Sequence, residues 1–182
     1  MGAITRTLAN NITTGGVILP SGINNTSISN VTALPAGVGG KVLQVVSTQV
    51  ETSVVTTSST TYVEADTNFR VTITPSSASN KILVMASFPI EINNSNESYY
   101  TLFRDATDLS QAGSGTGMFR NYGHDSHPNV NGATLRILDT PNTTSAIIYS
   151  MKMKVGNAAA TAYYNVGNVS SCISAMEIQG WF

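Results

Sequence analysis

From Lys41 onward, apolar and polar side chains alternate with a period of two, in runs rich in Val, Ile, Thr, Tyr and Phe. Successive side chains of a strand point to opposite faces, so this period predicts half-buried strands. Phe69, Val71 and Ile73 fall on one face, with Arg70, Thr72 and Thr74 on the other. Residues 81–92 repeat the pattern with Ile82, Val84, Ala86, Phe88, Ile90 and Ile92, and Ile147, Tyr149, Met151, Met153 and Val155 stand opposite Lys152 and Lys154. Strands are predicted over 41–49, 53–57, 61–64, 69–74, 81–92, 99–104, 133–138, 145–155, 162–166 and 172–179. Turn-forming clusters separate them at 75–80, 92–96, 139–142 and 156–157. Nowhere do apolar residues recur at i, i+3, i+4 and i+7 between capping signals, so crossover helices are not expected. The pattern predicts an all-β chain: an antiparallel β-sandwich, jelly-roll-like, with an extended N-terminal arm.

That arm is residues 1–40, and its pattern differs from the rest. It holds one charged side chain, Arg6, no aromatic residue, and breakers at Gly15-Gly16, Pro20, Gly22, Pro35, Gly37 and Gly39-Gly40. Val17, Ile18 and Leu19, and the piece from Val31 to Leu34, are too short for helices and too far apart to bury one another. Fixing each residue costs roughly 1–2 kcal/mol of backbone entropy, which only a partner surface could repay; the pieces read as anchors on such a surface, the alternative being a disordered tail or linker, which would normally carry more charge and fewer Ile, Leu and Val. The β-sandwich domain is expected over 41–182. Within it, residues 105–131 lack strand character and read as a long loop, a feature associated with function or mobility.

Composition sharpens the picture. The 182 residues carry nine Lys+Arg against ten Asp+Glu, a formal charge of −1, and only 10% are charged. Ser, Thr and Asn together number 61, so the surface is polar but nearly uncharged. With no basic surplus, binding to nucleic acid is not expected, nor is attraction to an anionic membrane. Weak repulsion between copies suits a protein that lives in an assembly. No window approaches 18 apolar residues and the first residues lack a signal-peptide pattern, so no membrane insertion and no leader are expected. Asn-x-Ser/Thr triplets such as Asn11-Ile12-Thr13 arise from composition. Cys172 is the single cysteine and cannot form an internal disulfide.

Four stretches carry a resemblance: residues 40–46 (Gly-Lys-Val-Leu-Gln-Val-Val), 73–84 (Ile-Thr-Pro-Ser-Ser-Ala-Ser-Asn-Lys-Ile-Leu-Val), 138–146 (Leu-Asp-Thr-Pro-Asn-Thr-Thr-Ser-Ala) and 175–178 (Ala-Met-Glu-Ile). Together they resemble a β-sandwich module at the ends of tail-fibre and other virion structural proteins of marine bacteriophages. The similarity covers roughly residues 40–178 but neither the arm nor the 105–131 loop, and it contains no catalytic signature. In that family the module usually follows a longer fibre, whereas forty residues precede it here, which favours a short fibre, spike or capsid decoration. The resemblance implies location in the virion, partners among capsid or tail proteins, a closed homotrimer, and loops exposed to a host surface.

The candidate chemistry is sparse. His124, Asp125 and His127 cluster in the long loop, but a metal site needs a third or fourth ligand and none is close in sequence, so no metal is expected. With Tyr122 these residues form a candidate ligand-contact loop, suited to a host surface glycan; Tyr99 and Tyr100 offer further aromatic surface, and all three tyrosines also read as half-buried sheet packing. Gly113 to Gly117 lacks the Lys-Ser/Thr of a phosphate loop and reads as a flexible tip, so no cofactor is expected. The carboxylate pairs Glu64/Asp66 and Asp105/Asp108 meet the spacing of a glycosidase only trivially. No Gly-x-Ser-x-Gly elbow announces a nucleophile, and an enzyme is not expected. Trp181 and Phe182 are expected to pack against the sheet or another subunit.

Overall fold

The structure is a computed structural model that describes residues 41–51, 54–93, 96–110, 117–123, 129–167 and 169–179. The described residues contain twelve strands and no helix: β1 (Val42–Val50), β2 (Val55–Thr57), β3 (Val63–Glu64), β4 (Arg70–Ile73), β5 (Lys81–Ile92), β6 (Glu97–Arg104), β7 (Thr107–Asp108), β8 (Phe119–Tyr122), β9 (Asn129–Asp139), β10 (Ile147–Val155), β11 (Ala162–Tyr164) and β12 (Ser171–Ile178). All pairings are antiparallel. One sheet runs β1-β12-β5-β9, with β11 and β2 continuing from the far end of β5. The other runs β4-β10-β6-β8, with β3 also on β10 and β7 also on β6. Taking the eight principal strands in chain order, the two sheets read 1-8-3-6 and 2-7-4-5, the strand order of a jelly roll.

The alternation read from the sequence falls where expected. Phe69, Val71 and Ile73 are buried, as are the six apolar residues of β5 and the five of β10. Their shared interior holds Phe69, Phe88, Tyr100 and Tyr164 in edge and tilted contacts of 5.3 to 5.9 Å between ring centres. Pro89 lies within β5, although a central strand normally excludes a residue without an N–H. It sits where the neighbouring strand changes, since β12 pairs up to Ser87 and β11 begins at Ile90.

The strand-free stretch expected over 105–131 is corrected by the structure: it contains β7, β8 and the first residues of β9. In β8 the inward positions are Phe119 and Asn121, and Asn121 is buried while its Oδ1 accepts from Asn131 Nδ2 at 2.9 Å. A buried Asn121 bonded to a half-buried Asn131 therefore stands where a periodicity reading looks for apolar residues. Gly117 is needed at the entrance to β8. Its φ is +69°, and a Cβ there would lie 2.5 Å from the Tyr62 hydroxyl and 2.7 Å from the Tyr100 carbonyl oxygen.

One corner of the sandwich is closed by buried carboxylates. Gln44, Glu177, Ile82 and Asp139 form one cross-strand row on the inner face of β1, β12, β5 and β9. Glu177 is 0% exposed and accepts hydrogen bonds from Gln44 Nε2 (2.6 Å), the Ser76 backbone N–H (2.6 Å), Ser76 Oγ (2.8 Å) and Asn80 Nδ2 (2.6 Å). Burial alone pushes a carboxyl pKa up, but the combined donors outweigh it and hold Glu177 below its ordinary value. Asp139 accepts from Arg104 Nη1 at 2.9 Å to each oxygen, from the Tyr149 hydroxyl at 2.6 Å and from the Thr140 N–H at 2.9 Å.

The outer faces of the two sheets differ. On β6 and β10, Lys152 Nζ lies 4.0 Å from the Phe103 ring centre, and Lys154 Nζ lies 4.7 and 5.3 Å from those of Tyr62 and Tyr99. Arg70 pairs with Glu64 beside them. Lysine stems over aromatic rings bury this face, so Tyr99, Thr101 and Phe103 are buried although they point away from the core. No comparable cover lies over the outer face of β1-β12-β5-β9 among the described residues.

Candidate functional site

The register between β6 and β8 places Glu97 opposite Tyr122 and Tyr99 opposite Arg120 on the outer face. The Glu97 carboxylate accepts from the Tyr99 hydroxyl and from the Arg120 guanidinium, and Arg120 Cζ lies 6.0 Å from the Tyr122 ring centre. That hydrogen bond to Glu97, with burial second, raises the Tyr99 pKa above its ordinary value. Two backbone bonds fix the surrounding turns: Gly123 N–H to the Asn96 carbonyl and Gly156 N–H to that of Glu97, both 2.9 Å.

These residues enclose an open depression of about 290 Å³ lined by Asn96, Glu97, Tyr99, Tyr122, Gly156 and Asn157. A Cβ on Gly156 would meet the Tyr99 ring at 3.4 Å and Glu97 at 3.5 Å, in the space this glycine leaves open. Tyr122 is 49% exposed and presents an aromatic surface at the rim. Amides, a carboxylate and an aromatic ring at one shallow, neutral site suit a polyhydroxylated ligand: the ring packs on C–H faces, and the polar groups meet hydroxyls.

Of the residues expected to contact a ligand, Tyr122 lines this depression, as does Tyr99. Tyr100 does not, and follows the sheet-packing reading instead: it points inward, is 0% exposed and donates to the Tyr163 carbonyl at 3.3 Å. His124, Asp125 and His127 lie outside the described residues, as do the arm residues Val17, Ile18, Leu19, Val31 and Leu34 and the terminal Trp181 and Phe182. Glu97, Arg120, Asn96 and Asn157 were not singled out from sequence. The only signal was the Glu97-Ser98-Tyr99 alternation, which puts the acid and the ring on one face; nothing in the chain reveals that β8 joins them.

The carboxylate pairs considered for hydrolysis have structural partners. Glu64 pairs with Arg70, and Asp66 Oδ1 accepts the Asn68 N–H at 2.8 Å. Asp105, with a positive φ of 50°, accepts the Ile148 N–H at 3.1 Å, while Asp108 accepts from Thr101 Oγ1 (3.0 Å) and the Ser110 N–H (2.8 Å). Among the described residues, no group of three or more His, Cys, Asp and Glu side chains is placed to hold a metal ion, and no helix is long and apolar enough to cross a membrane. The sequence matches no protein-family model and no curated protein sequence.

Proposed function

We propose that this chain is a non-enzymatic structural protein of a bacteriophage virion: a short fibre, spike or capsid decoration that holds its β-sandwich outward and is fixed to the particle by residues 1–40. The observation that supports this reading is the corner around Glu177. The four stretches that carry the resemblance are far apart in sequence, yet Gln44 from the first and Ser76 and Asn80 from the second all donate to Glu177 of the fourth, while Asp139 of the third ends the same row. Residues that satisfy one another in this way form a single fold-determining unit. The jelly-roll order adds an analogy at the level of fold, because viral capsid and lectin domains use it. In this reading Val17, Ile18, Leu19, Val31 and Leu34 bury themselves on neighbouring capsid or tail proteins. The test is to purify particles of the phage that encodes the chain, identify the chain by mass spectrometry and locate its density in a particle map. Absence from purified particles despite expression in infected cells would overturn the reading. Loss of incorporation on deleting residues 1–40 would support the anchoring role.

A second reading, carbohydrate binding in receptor recognition, is favoured by the depression beside Tyr122. Calorimetric titration with host surface glycans is expected to show binding that Tyr122→Ala weakens by roughly ten-fold or more, the scale of one lost aromatic contact. Binding that survives both Tyr122→Ala and shortening of 124–128 would rule this site out.

A further inference from the structure

The outer face of β1-β12-β5-β9 carries a straight apolar row that crosses all four strands. Val45 pairs with Met176, Met176 with Leu83, and Leu83 with Leu138. Val45 is 55% and Leu138 49% exposed, and Met176 and Leu83 are half-buried. On one side of this row lie Val42 and Ile178; on the other come Ser47, Ser174 and Met85, then Gln49, Cys172, Ser87 and Thr134. Only Lys81, Glu91 and Arg136 are charged on this face within the four strands. The opposite sheet, by contrast, covers its own outer face with lysine stems and aromatic rings.

We propose that this face is a contact between two copies of the chain, related by a two-fold axis that runs parallel to the strands between β12 and β5. Such an axis exchanges β1 with β9 and β12 with β5 while keeping every row at its own height. Val45 then faces Leu138 of the second copy, and Met176 faces Leu83 of the second copy, so the apolar row stacks on itself. The charges fall harmlessly: Arg136 meets Ser47, Lys81 meets Ile178 and Glu91 meets Tyr163 of the second copy, with no like pair opposed. An apolar row that is self-complementary under one rotation fits a second copy without any change in the chain. Its size fits too. Strands of eight to twelve residues at about 3.4 Å per residue, four abreast at about 4.8 Å, give roughly 500–750 Å² per copy, close to the ~800 Å² per partner of a stable interface. Few charges have to be desolvated to form it. This two-fold pairing stands apart from the virion reading and replaces the closed trimer implied by the resemblance.

The full chain tests it by sedimentation velocity across the micromolar range. The expected mass is twice the 19.1 kDa of one chain. Val45→Glu combined with Leu138→Glu sets like charges face to face and is expected to raise the dissociation constant by about 100-fold or more. Val45→Glu combined with Leu138→Lys sets opposite charges face to face and is expected to recover at least about ten-fold of that loss. Both positions are exposed, so circular dichroism should stay unchanged, and the melting temperature should match wild type when both are measured at concentrations below the dimer's dissociation constant, which separates lost contact from lost fold. As a second readout, the axis brings the two Cys172 Cα atoms to about 11 Å, combining a strand spacing of ~4.8 Å with a sheet spacing of ~10 Å. A short bifunctional maleimide should therefore link wild-type pairs through Cys172 and fail with the double glutamate variant. A monomer at every concentration would leave the face to another segment or another protein and would overturn the proposal. So would a trimer, or a dimer indifferent to charge at Val45 and Leu138.

Discussion

Glu177→Gln is the most informative single change in the core. The wild-type carboxylate is fully buried and takes four hydrogen bonds, three on Oε1 and one, from Gln44, on Oε2. A glutamine keeps the shape but must turn an NH2 toward one set of donors. The cheaper choice faces it toward Gln44 Nε2, which loses that bond and opposes two donors; Gln44 keeps its 2.7 Å bond to the Thr74 carbonyl. Losing one charge-assisted bond, worth about 1.5–3 kcal/mol, and weakening three others puts the cost near 3 kcal/mol. For a domain of this size that lowers the melting temperature by about 10 °C. The pH dependence separates this mechanism from a mere packing defect. Because the folded pKa of Glu177 is held below its value in the unfolded chain, its contribution is present above the unfolded value of about 4.3 and is lost as pH falls through the folded value. Urea denaturation of wild type and variant should therefore show a constant gap from pH 6 to 8 that narrows below about pH 4. A gap under about 1 kcal/mol at neutral pH, or one that persists unchanged in acid, would refute the assignment of Glu177 as a charged, donor-held centre.

Three further outcomes follow from the same geometry. Gly117→Ala meets both a positive φ and a Cβ too close to the Tyr62 hydroxyl and the Tyr100 carbonyl, so denaturation should show a loss of about 1–3 kcal/mol. In an alkaline titration followed by phenolate absorbance, Tyr62 and Tyr164, which burial pushes up to about 12, should resist ionisation while the fold persists, as should Tyr100 and Tyr149, raised chiefly by burial. The stability these groups contribute is present below the unfolded value of about 10 and is lost as pH rises through the folded values, so unfolding should accompany the late ionisations. Lys154→Met keeps the stem over Tyr62 and Tyr99 but removes the cation; a cost of about 0.5–1 kcal/mol in thermal unfolding is expected, and no cost would show that only the stem matters.

Period-two runs were the most legible part of the chain. Lys81–Ile92 reads as a strand with both ends in place, because its inward positions are all apolar and breakers flank it. β8 was hidden because its inward Asn121 is polar, and the Asn131 amide that donates to its Oδ1 is a partner that only the fold supplies. The candidate site was legible only in part, through the ring of Tyr122. Its acid and its cation, Glu97 and Arg120, are 23 residues apart, and the pairing of β6 with β8 joins them.

By itself the sequence determined the class of fold, since alternation sets which side chains of a strand share a face and breakers set where the strand stops. It also determined how scarce charge is, since only 10% of the residues carry one. Which strands lie side by side is a different matter. Strand order and register depend on contacts between residues far apart along the chain, and those contacts are decided by the fit of a common interior. Only tertiary structure could therefore bring Gln44, Ser76 and Asn80 to Glu177, line up Val45, Met176, Leu83 and Leu138 across four strands, and set Tyr122 beside Glu97.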